Sequence, residues 1–88
     1  MENQKPASPQ TESADSREKQ MVIYLEDLLR SQLERLRRYD LDGSIKLAEE
    51  SGRISGDLTR ENILARQKFA QNRQTIQNLY REIQLVIS

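Results

Sequence analysis

Cysteine, histidine and tryptophan are all missing from this chain of 88 residues. Without cysteine there is no disulfide framework and no thiolate chemistry. Without histidine or cysteine, the usual zinc sites, Cys–His pairs and Ser–His–Asp triads are excluded. Neither G-x-x-x-x-G-K-[ST] nor G-x-G-x-x-G occurs, so no phosphate-cradling loop is expected. This inventory points away from an enzyme and implies no metal and no cofactor. Charge of one sign is missing too: fourteen Lys and Arg balance fourteen Asp and Glu. That balance argues against bulk binding to nucleic acid or to an anionic membrane. No apolar run approaches the roughly 18 residues of a membrane span. The opening "MENQKPASPQ" lacks the basic-then-apolar order of a signal peptide, so a cytoplasmic location is expected.

Proline occurs only at Pro6 and Pro9, and glycine only at Gly43, Gly52 and Gly56. Residues 1–16 are rich in Pro, Ser, Thr and Gln with almost nothing to bury, and read as a disordered tail. Residues 17–88 are mostly strong helix formers and read as one helical domain. A first helix can be capped by Asp15 or Ser16. Val22, Leu25, Leu29, Leu36 and Tyr39 share one heptad frame, with Gln32 in the gap before Leu36 and Leu33 beside it. The phase changes in "YDLDGSI", where a kink or short break fits Asp40–Ser44. The chain reversal is expected in "SGRISGD", Ser51–Asp57, on its two glycines and candidate caps. A second helix then runs from Leu58 to Ile87, interrupted at core positions by Asn62 and Asn72. The predicted fold is all-α, a long antiparallel helical hairpin. A bare hairpin shields only part of each stripe, so completion by a partner helix, or by a homodimer, is expected.

Three local patterns bear on function. "RYDLDGSIKLAE", Arg38–Glu49, can be laid on a calcium loop, but Arg38 and Lys46 put cations at ligand places, and solvated carboxylates at a helix break suit it better. The basic residues from Arg60 to Arg81 are not interleaved with aromatics and read as a solvated helix face. "LYREIQLVIS" is the most apolar stretch. Leu79, Tyr80, Ile83, Val86 and Ile87 fall within an arc of about 120°, and Leu85 lies outside it. In a hairpin this end sits beside Val22, Leu25 and Leu29. The eight residues together form the expected partner-binding face, suited to the helix-in-groove mode.

"LEDLLRSQLERLRRYDLDGSIKLAEESGRISGDL" resembles the layout of FlgN-type flagellar export chaperones. In that layout a Leu-rich helix enters an Asp-containing step, here Tyr39 to Asp42, followed by Leu47, Glu49, Glu50, Ile54 and Leu58. "NRQTIQNLYREIQLVIS" is similar to that family's third stretch, through Arg73, Ile76, Leu79, Tyr80 and Ile83. The FliT-type chaperones share the general look. The resemblance spans about Tyr24 to Ser88, and this chain is shorter than the family pattern. It implies a small cytoplasmic helical protein that holds an amphipathic helix of a secreted client. The alternatives are a structural coiled-coil homo-oligomer or complex subunit and, less favoured, a degenerate calcium-loop protein.

Overall fold

The computed structural model describes residues 9–88. Those residues form α1 (Pro9–Arg37), α2 (Leu41–Arg60) and α3 (Ala70–Ile87), with one 3-10 turn at Gln67–Phe69 before α3. No strand occurs among them. The all-α hairpin is therefore present, with α1 and α2 packed against each other. The tail expected over residues 1–16 lies outside the described residues for 1–8, whereas residues 9–16 open α1. Asp15 and Ser16 are thus inside the helix and do not cap it.

The reversal is at Arg38–Asp40, just ahead of Asp40–Ser44 where a kink or short break was expected, and Leu41–Ser44 already belongs to α2. Tyr39 takes a left-handed φ of 62°. Its N–H donates to the Leu36 carbonyl at 3.0 Å, and the Asp40 N–H reaches back to Arg35 at 2.8 Å. This pair of bonds closes the last turn of α1 in a Schellman motif. The accompanying side-chain contact is ionic: Arg35 donates to Asp40 Oδ2 at 2.9 Å. Asp40 also caps α2, its Oδ1 accepting from the Gly43 N–H at 3.0 Å. A Cβ on Gly43 would stand 2.5 Å from Asp40 Oδ2, so this close approach needs glycine.

The expected reversal at Ser51–Asp57 is not formed, because that segment lies in the middle of α2. Gly52 and Gly56 weaken the helix by roughly 1 kcal/mol each. Burial outweighs them: Ser51, Ile54 and Leu58 all face the core. Arg53 links Glu50 at 2.6 Å to Asp57 at 3.8 Å along the outer face, and Arg60 also pairs with Asp57. α2 ends in a second Schellman closure, with Asn62 at φ 56° and its N–H donating to the Thr59 carbonyl at 3.0 Å. Here the side-chain contact is apolar, between the fully buried Leu58 and Ile63.

The second predicted helix, Leu58–Ile87, is therefore two pieces separated by a turn. α3 runs parallel to α1. Arg66 and Lys68 pair with Glu18 and Asp15 at one end, Asn72 Nδ2 donates to Glu26 Oε2 at 2.9 Å midway, and Arg37 meets Glu82 at 3.1 Å at the other. The chain thus supplies a third helix itself. α1 packs against both α2 and α3, while no α2–α3 pair of described residues approaches within 8 Å between Cα atoms. Val22, Leu25 and Leu29 are fully buried on α1. They share one apolar cluster with Ile54 and Leu58 from α2, Ile76, Leu79 and Ile83 from α3, and Ile63 and Phe69 from the connection. Each such side chain contributes about 1.5–3 kcal/mol by leaving water.

Truncating the centre of this core tests it. Leu29→Ala is expected to cost about 2–5 kcal/mol, measured by urea unfolding, a large share of the ~5–15 kcal/mol typical of a domain. The two helical glycines should respond with opposite signs. Gly52, with open space where a Cβ would go, should stabilise by about 0.5–1 kcal/mol as Gly52→Ala. Gly43→Ala should lower the urea midpoint, because its methyl displaces the Asp40 cap.

Candidate functional site

Many of the charged side chains pair with one another. Arg38 pairs with Glu34 at 2.8 Å, Arg35 with Asp40, Arg37 with Glu82 and Lys68 with Asp15. Two open hollows follow these pairs. One of about 460 Å³ is lined by Asp15, Ser16, Lys19, Lys68, Phe69 and Asn72. The other, about 440 Å³, is lined by Arg30, Ser31, Glu34, Arg35, Arg38 and Leu47. Both are surface troughs whose linings carry more basic than acidic side chains. No group of three metal-capable side chains occurs among the described residues. The calcium-loop alternative fails on geometry: Leu41–Glu49 is helical, and Asp40 is occupied as a cap.

The eight expected partner-binding residues divide. Val22, Leu25 and Leu29 are fully buried, and Leu79 and Ile83 are buried in the same apolar cluster. These five form the chain's own core and meet a partner only if the bundle opens. Tyr80, Val86 and Ile87 are exposed, at 41%, 42% and 61%. Their neighbours also differ from the hairpin expectation. Because α3 is parallel to α1, its C-terminal turns lie beside Arg37 and the α1–α2 turn, not beside Met21–Leu29.

That placement assembles a surface that the sequence pattern missed. The rod measures 57 × 23 × 19 Å, so it has two distinct ends. Seven of the nine large apolar side chains exposed among the described residues belong to one of them. Tyr39, Leu41 and Ile45 come from the turn and the start of α2, and Tyr80, Leu85, Val86 and Ile87 from the end of α3. Leu85 is 70% exposed and Tyr39 90%. Leu41 and Ile45 repeat at helical spacing yet are 62% and 56% exposed. The buried face of α2 instead follows Leu47, Ser51, Ile54 and Leu58, spaced four, three and four apart. That spacing was a legible signal that Leu41 and Ile45 face elsewhere.

Away from this end, one polar contact fastens α2 to α1. Tyr24 Oη donates to Glu50 Oε2 at 2.9 Å, and Arg53 donates to both oxygens of the same carboxylate, at 3.0 and 2.6 Å. The hydrogen bond to Glu50 raises the Tyr24 pKa above its ordinary 10.0. The Arg53 hydrogen bonds, then that of Tyr24, lower Glu50 below 4.5. The Gly43 N–H, then Arg35, lowers Asp40 below 3.8. Depressed carboxylates contribute stability above their ordinary pKa and lose it as pH falls through the folded value. A raised tyrosine contributes below its ordinary pKa and loses it as pH rises through the folded value. The urea midpoint should therefore be flat near neutrality, fall as pH drops below about 4, and fall again above about 10. Tyr24→Phe should reduce the alkaline fall, and an unchanged alkaline limb would contradict the assignment.

Comparison with family models, with curated proteins and with solved structures finds no match, so the likeness to FlgN-type chaperones stands on the residues quoted above.

Proposed function

We infer that this chain is a non-enzymatic helical binding protein that engages a protein partner through the apolar end formed by the α1–α2 turn and the C-terminal turns of α3. One observation carries the reading: seven of nine exposed large apolar side chains gather at that end. Scattered single apolar residues are ordinary on a protein surface, whereas concentration at one end marks an interaction surface. The two tyrosines agree, since tyrosine is enriched among the residues that anchor interfaces. Helix ends of this kind accept an amphipathic helix by its apolar face. The chaperone-like layout supplies a matching partner class, a helix of a secreted client held before assembly. In that reading the working residues are Tyr80, Val86 and Ile87 from the expected face, joined by Tyr39, Leu41, Ile45 and Leu85. The five core residues act only by holding the helices in place.

The surface can be tested without knowing the partner. Anilinonaphthalene sulfonate should bind the full chain at high dilution with enhanced fluorescence. The double variant Leu85→Glu/Ile87→Glu should remove most of that signal and leave the helical circular dichroism and melting temperature unchanged, because both side chains are exposed. Dye binding that is absent, or indifferent to both substitutions, would contradict the reading. By contrast, Ile83→Asp is expected to unfold the chain, since it buries a charge in the core.

A further inference from the structure

We draw no further inference here: the strongest candidate, the exposed apolar surface at the α1–α2 turn and the last turns of α3, belongs to the binding site already proposed, and nothing in the structure shows what covers it.

Discussion

Asp40 sets the direction of everything that follows it. Its backbone N–H closes α1, its carboxylate pairs with Arg35, and the same carboxylate caps α2 through Gly43. Three residues, Arg38–Asp40, thereby reverse the chain with no loop to spare. Because the turn falls here, the 20 residues of α2 run back along α1 until the connection meets Glu18 and Asp15. The next turn must then occur near the start of α1, and α3 returns parallel to it. That return carries Leu85, Val86 and Ile87 to the level of Tyr39 and Leu41. A later turn, within α2, would have sent them to the opposite end.

α1 makes this arrangement cohere. It is the only helix in close contact with both others, so its stripe serves two partners at once. Val22, Leu25 and Leu29 are fully buried between them. Each chain end of the connection is then fixed by a different kind of contact. Ile63 and Phe69 bury the link between α2 and α3, while Arg66 and Lys68 tie its outside to Glu18 and Asp15. The Asn72–Glu26 hydrogen bond fixes the register of α3 on α1. Exposed ion pairs contribute little individually. Stability therefore comes from a small apolar core, with the charged surface contributing little.

The fold class, the α1 stripe and much of the core were legible in the amino-acid sequence, because leucine spacing at helical period is a strong signal. Leu33 beside Gln32 is an example, though Gln32 is itself buried. The turns were not legible in the same way. Both helix ends close on left-handed residues that are not glycine, Tyr39 and Asn62, while the two glycines of "SGRISGD" sit inside a helix. Reading glycine as punctuation therefore moved the reversal by more than ten residues. The site suffered in consequence. Tyr80, Val86 and Ile87 were found by their arc, but their neighbours depend on the direction of α3, which no local pattern encodes. Leu85 stood out in the sequence as the apolar residue off the stripe, and it is among the most exposed side chains of the chain.

The direction of α3 relative to α1 underlies the proposed binding surface, and spin-label distances measure it directly. Labels at the exposed positions Arg37 and Glu82, and in a second sample at Lys19 and Glu82, leave the core untouched when diluted with unlabelled chain. The parallel arrangement predicts a short distance for the first pair, whose side chains meet at 3.1 Å. The second pair should be separated by about 27 Å along the helix axis, from 18 residues of rise. A shorter distance from Glu82 to Lys19 than to Arg37 would place the end of α3 beside the start of α1 and contradict the account.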